Sequence, residues 1–420
     1  ATAGDGQQAA RAGHRRAAGL PERGRRLTRR DFLREAGGTA GAVAAAGALA
    51  NLLDWGEVFA RAGTDVLDLV FVSNAQDRTL SVIDAARDEL VKTIRVNTAF
   101  GFPANKWPLE YRYIWGNADD KVQVVDVLTG QLVAEWATGS ANGQNYVELT
   151  PDGRWAVVAV RHRDRFLKIG ADPARPDFLQ IVAEYQTYPN AGPCDTTISP
   201  DGRFSFHPDR HSHAVSVLDL ERFQVVAVSP VEPVLADKPD PYMGTVSPDG
   251  RLLFIECTEA GGTESIWDVS NPAGPVELRR LTAQDGLGRL PISSEFSPDG
   301  RFAFIICRDS SSISVVDTRN LAVVHTIQLL EGSNPIAADL SPDGRKLYVP
   351  LPGRDAVAVV DVTSFEVRTY VKVGARPLSA VALRTRLPEV EGVELPVGAM
   401  FATGRPMPAG CRWPCCGEIV

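Results

Sequence analysis

Four of the six histidines fall close together, as His162, His207, His211 and His213. His211-x-His213 on one loop, joined by an imidazole from a neighbouring loop, is a donor set that suits zinc or copper. One such histidine could also serve a haem as axial ligand, although no C-x-x-C-H is present for covalent attachment. The competing reading is a set of solvated loop histidines. Arg161, Arg163 and Arg210 lie among them and would repel a cation. A second group is acidic: Glu148, Asp195, Glu295 and Asp339 each lie two or four residues before a recurring S/T-P-D-G-R pentapeptide. If these side chains share one space, they offer a divalent cation an oxygen-rich site for metal-assisted hydrolysis. The competing reading is a hydrated polar channel. The chain has no G-x-S-x-G elbow, no H-E-x-x-H and no phosphate-binding glycine loop.

The pentapeptide positions these residues. It occurs at Thr150–Arg154, Ser199–Arg203, Ser247–Arg251, Ser297–Arg301 and Ser341–Arg345, with starts 49, 48, 50 and 44 residues apart. Proline fixes φ and glycine supplies φ > 0, so Pro-Asp-Gly between two apolar runs is a tight turn. After each turn come a strand, a polar loop, a second strand ending in Asp and an outer strand. That aspartate recurs as Asp84, Asp126, Asp219, Asp268, Asp317 and Asp361, where it is expected to accept backbone N–H groups of the following turn. Repeats of four strands at this period predict an all-β, seven-bladed β-propeller. The expected blades are 66–97, 107–139, 145–188, 194–230, 242–282, 292–329 and 336–374. In the second, Pro108-Leu109-Glu110-Tyr111-Arg112 stands in place of the pentapeptide. The first blade lacks its inner strand, and Leu378–Leu383 is expected to supply it, closing the ring and removing the open sheet edges.

Strand alternation then assigns the inner strands. The residue before each turn (Leu149, Ile198, Val246, Phe296, Leu340) is apolar and packs into a blade. The opposite side should face the central channel. It carries Glu148, Thr197, Thr245, Glu295 and Asp339 two residues before the turn, and Tyr146, Asp195, Met243, Ser293 and Ala337 four before. Arg308, Arg354 and Arg376, with Arg161 and Arg163, fall in loops at the face where the inner strands begin. There they either ring the mouth and attract an anion or serve solubility. Cys257 and Cys307 share one column of adjacent blades, too far apart for a disulfide, and with Cys194 read as small buried residues.

The units resemble the YVTN (YncE-like) propeller repeat, most closely at Ser341–Val349 (SPDGRKLYV) and Val357–Thr363 (VAVVDVT). The resemblance covers about 320 residues. Its superfamily includes lactonase-like hydrolases and the haem-binding propeller of dissimilatory nitrite reductase and its biosynthetic relatives. The resemblance therefore specifies the fold and leaves the activity open.

Residues 1–64 are of another kind. Thr28-Arg29-Arg30-Asp31-Phe32-Leu33-Arg34, followed by an Ala/Gly-rich run from Gly37 to Leu53, resembles a twin-arginine export signal, with Arg29 and Arg30 as the pair. The run is too short and too weakly apolar for a stable membrane anchor. Cleavage after Ala48-Leu49-Ala50 or after Ala60-Arg61-Ala62 fits the small-residue pattern. The signal implies the twin-arginine translocation machinery as a partner and a periplasmic or extracellular location. Residues 385–420 form a Pro- and Gly-containing tail ending Cys411-Arg412-Trp413-Pro414-Cys415-Cys416, which could form disulfides or bind metal. A net charge of −8 argues against a nucleic-acid partner. The expectation is an exported propeller that binds a small ligand or protein partner at one face. The alternatives are a lactonase-like metal-assisted hydrolase using the channel carboxylates, or a zinc, copper or haem carrier using the histidines.

Overall fold

The computed structural model describes residues 54–96, 103–104, 112–118, 120–140 and 145–386. These form seven antiparallel four-stranded sheets arranged as the blades of a propeller. The expected organisation holds. Blade 3, for example, runs outward through Asn145–Leu149, Trp155–Val160, Arg165–Gly170 and Ile181–Gln186. Blade 1 takes its inner strand from the other end of the chain. Pro377–Arg386 pairs antiparallel with Val66–Asn74, in register from Val66↔Arg386 to Ser73↔Ser379. This strand is longer than expected, and its end is braced by Arg384 on Asp68 (2.8 Å) and Arg386 on Asp65 (3.0 Å).

Blade 2 begins earlier than expected. Its inner strand is Pro103–Ala104, paired with Trp115 and Gly116. The last residue of the substitute pentapeptide keeps its place all the same. Arg112 directly precedes the second strand and pairs with Asp126, as Arg301 pairs with Asp317 in blade 6. Pro108 to Tyr111 lie outside the described residues.

Each S/T-P-D-G-R turn is closed by the same set of bonds. In Ser297–Arg301 the serine Oγ donates to Asp299 (2.7 Å) and accepts the N–H of Phe302 (2.9 Å). Asp299 accepts the N–H of Arg301 (3.0 Å), and Gly300 adopts φ 66°. Neighbouring turns also touch. A side chain at Gly344 would collide with Pro298, so the glycine serves both the turn and the packing. All six recurring aspartates accept the backbone N–H two residues on, at 2.8–3.0 Å, as expected.

Seven apolar clusters form the core, one between each pair of adjacent blades. The second and third strands are covered on both faces, which is why they read as continuous runs such as Phe302–Cys307. Outer strands alternate, as in Gln224–Pro230, because one face meets solvent. One element lies inside the stretch read as leader. Residues 54–62 are helical, and Trp55 and Phe59 are fully buried in the cluster joining blades 1 and 2.

Candidate functional site: the central channel and its mouths

The inner strands place their alternate residues around the axis as alternation requires. Tyr146, Asp195, Met243, Ser293 and Ala337 line a narrow cavity of about 60 Å³, together with Glu148 and Asp339. Glu148, Glu295 and Asp339 continue into a cavity of about 390 Å³ on the turn face, rimmed by Pro248, Pro298 and Pro342. All four channel carboxylates therefore lie on the wall of the channel.

Three of them are engaged by the blade that follows. Glu148 accepts the N–H of Ile198 (3.4 Å), Asp195 that of Gly244 (3.1 Å) and Asp339 that of Ala382 (2.7 Å), and Asp339 also takes the N–H of Leu340 in its own strand (2.8 Å). Thr197 serves Val246 in the same way (3.2 Å), and Thr245 donates to the carbonyl of Ser294 (2.8 Å). Inner-strand side chains thus carry the hydrogen bonding from blade to blade, where no sheet continues. Glu295 is the most exposed of the four and faces both cavities. Among the described residues no three His, Cys, Asp or Glu side chains are placed to hold a metal ion.

The histidines do not converge. His207 is fully buried in the second strand of blade 4, its ring 4.2 Å from that of Phe166. Strand alternation turns it into the blade 3–4 interface rather than toward the loop. Its ring nitrogens bond Ser205 Oγ (2.8 Å) and the Asp195 carbonyl (3.0 Å), and burial lowers its pKa to about 3. His213 takes a left-handed backbone (φ 55°) and turns to Asp240, at 3.7 Å. His162 and His211 do meet, as stacked rings 5.7 Å apart, with Ser140 Oγ at 3.2 Å from His162 Nδ1. Arg161 and Arg210 stand close enough to help lower the pKa of His211, after burial. The four histidines are thus one core histidine, one loop histidine and a stacked pair.

The arginines of the loop face are used unequally. Arg354 binds the carbonyls of Glu331 and Gly353, and Arg163 that of Gly139 (3.0 Å). Arg308 and Arg376 line one cavity of about 290 Å³ at the mouth over blades 6, 7 and 1, with Gln76, Asn334 and Asp355. Among the described residues neither guanidinium makes a side-chain hydrogen bond or ion pair. Asp355 is occupied by the N–H of Arg376 (3.0 Å) and by Lys372 (3.6 Å).

A further feature was not foreseen. Tyr146 and Tyr242, from blades 3 and 5, join hydroxyls at 3.1 Å, and the Arg210 guanidinium lies 5.3 Å over the Tyr242 ring. Tyr242 falls at a register shift between Pro241 and Met243, and a bulge of this kind re-aims a side chain that alternation assigns elsewhere. Cys194, Cys257 and Cys307 are free and buried as expected. Burial pushes the Cys194 and Cys307 thiols up to about 12. The tail cysteines and the Arg29-Arg30 pair lie outside the described residues.

Comparison with known proteins agrees with this architecture. No curated protein matches the sequence. Among solved structures, a functionally unknown protein from Desulfotomaculum acetoxidans superposes with a TM-score of 0.60 at 15% identity, over 75% of this chain and 98% of that one. The periplasmic gluconolactonase PpgL of Pseudomonas aeruginosa gives 0.58 at 18%, over 75% and 99%. Dihydro-heme d1 dehydrogenase NirN, solved in complex with DHE, gives 0.53 at 18%, over 75% of each chain. At these identities the likeness is one of fold. The chain is a seven-bladed β-propeller in which residues 139–320 match the family model described as lactonase, 7-bladed beta-propeller.

Proposed function

We propose that this chain is an exported ligand-binding propeller that takes a small organic anion at the loop-face mouth of its channel. The carrying observation is the pair Arg308 and Arg376, which line one cavity of about 290 Å³ without a side-chain partner among the described residues. A carboxylate or phosphate placed between two guanidiniums gains charge-assisted, geometrically specific hydrogen bonds. Asn334 and Gln76 supply neutral donors and acceptors beside it. The twin-arginine resemblance of Thr28–Arg34 and the YVTN-like repeat are parts of this reading. The test is calorimetric titration with a panel of sugar acids, dicarboxylates and sugar phosphates. Arg308→Ala and Arg376→Ala should each weaken the bound member at least about tenfold, the loss of a charge-assisted bond. A panel that binds the wild type and the double variant alike would sink the proposal.

A second reading, a lactonase-like hydrolase, is supported by the match over residues 139–320. It draws on Glu295, the most exposed channel carboxylate, as a base that activates water beside an ester carbonyl. Turnover of a lactone panel that is lost in Glu295→Gln, with folding intact, would favour it. Metal or haem carriage by the histidines has little support, because His207 is buried and neutral and His213 turns away from the stacked pair.

A further inference from the structure

The helix over 54–62 follows one sequence that fits a signal-peptidase site, Ala48-Leu49-Ala50, and includes the other, Ala60-Arg61-Ala62. Its packing distinguishes them. Trp55 and Phe59 sit four residues apart, on one helical face, with ring centroids 6.1 Å apart. Both are 0% exposed. They complete the cluster between blades 1 and 2, which includes Leu69, Phe71, Ile114 and Val125. Trp55 Nε1 donates to the carbonyl of Val127 in blade 2 (3.3 Å). Lys92 of the outer strand of blade 1 pairs with Asp54 (3.1 Å), its Nζ 5.4 Å from the Trp55 ring centroid. The opposite face, with Glu57 and Arg61, is exposed. The helix ends at Gly63 (φ 69°), whose N–H returns to Phe59 (2.9 Å), and the chain then enters the first strand of the propeller at Val66.

We infer that residues 54–62 are a retained part of the mature propeller, a wedge sealing blades 1 and 2, and that leader processing falls N-terminal to Trp55. Cutting after Ala62 would remove both rings and open the apolar joint to water, whereas cutting after Ala50 leaves the wedge whole. The processing half of this inference rests on the export reading above. The wedge half does not.

The experiment has two arms. In the first, the chain is expressed in a bacterium with a twin-arginine pathway and the exported protein's N-terminus is read by mass spectrometry. A start at or before Trp55 supports the inference, and a start at Gly63 overturns it. In the second, chains beginning at Asn51 and at Gly63 are made without export and melted. The Gly63 chain should melt roughly 5–10 °C lower. Should it fail to fold, Trp55→Ala with Phe59→Ala in the Asn51 chain should show a drop in the same range. Equal melting of the Asn51 chain and either variant overturns the wedge. If nothing is exported, the export reading fails while the melting arm still decides the wedge.

Discussion

His207 shows how one residue type in one pattern can mean two things. Its place near His211 and His213 suggested a ligand, and its position on a second strand makes it core. Inside, it is held neutral between Ser205 and the Asp195 carbonyl. A histidine whose pKa falls to about 3 on folding takes up its proton only in the unfolded chain over most of the acid range. Its contribution is therefore complete above the unfolded value of about 6.5 and is lost as pH falls from there toward about 3. His207→Ala should cost about 2–4 kcal/mol at pH 7.5, from the lost packing on Phe166 and two orphaned partners. The variant's denaturant midpoint should also fall less steeply than the wild type's between pH 6.5 and 4. A histidine signal titrating near 6.5 and assigned to His207 by NMR would contradict this account.

At the scale of the strand, blade 5 holds an arrangement that repeat counting does not reveal. Glu256 and Glu264 are directly opposite on its second and third strands, both 0% exposed. They face blade 6, on the side that carries Phe254 and Ile266. The counter-charge felt by Glu264 is Arg280, which already pairs with Glu259 (3.1 Å) and Glu277 (2.7 Å). Burial first, and the Glu256 carboxylate second, raise the pKa of Glu264 well above the usual carboxylate range. A carboxyl raised on folding costs stability as pH rises through its folded value, and costs nothing below its unfolded value of about 4.3. Glu264→Gln should therefore match the wild type near pH 4. It should exceed it by on the order of 1–3 kcal/mol at pH 8, the cost of a buried charge left poorly paired. Urea midpoints measured at the two pH values check this, and a variant less stable at both would rule it out.

What was legible followed from periodicity. The turns, the six capping aspartates and the channel-facing columns all repeat, each repeat confirms the rest, and the inner strand missing from blade 1 pointed to the closing strand. Tyr242 and Trp55 escaped for opposite reasons. A bulge turned Tyr242 off the column that alternation assigns to it. Trp55 and Phe59 belong to no repeat, and the small-residue run before them reads as leader. The sequence left the histidines open between a metal site and ordinary loop residues, because proximity along the chain does not say which face of a strand a residue such as His207 occupies. Arg308 and Arg376 were foreseen as loop residues, yet only the fold separates them from Arg354 and Arg163, which are spent on carbonyls.

For the whole molecule, stability is a question of closure. Each blade buries its two faces against its neighbours, so seven apolar clusters exist only if all seven joints are made. The joint between blades 7 and 1 depends on Pro377–Arg386, which contributes Ala380 and Ala382 to one cluster and Val381 and Leu383 to the next. The same strand gives Asp339 a partner at the N–H of Ala382. A chain ending at Arg376 would leave Val66–Asn74 as an unpaired apolar edge at the point where the ring opens, a template for association with other chains. It should be aggregated or lack a cooperative melt, whereas a chain ending at Arg386 should melt within a few degrees of the full-length protein. Adding back the peptide 377–386 should restore cooperative melting to soluble chains ending at Arg376 if closure is what they lack. A chain ending at Arg376 that stays monomeric and melts like the full chain would show that the ring holds without its last strand.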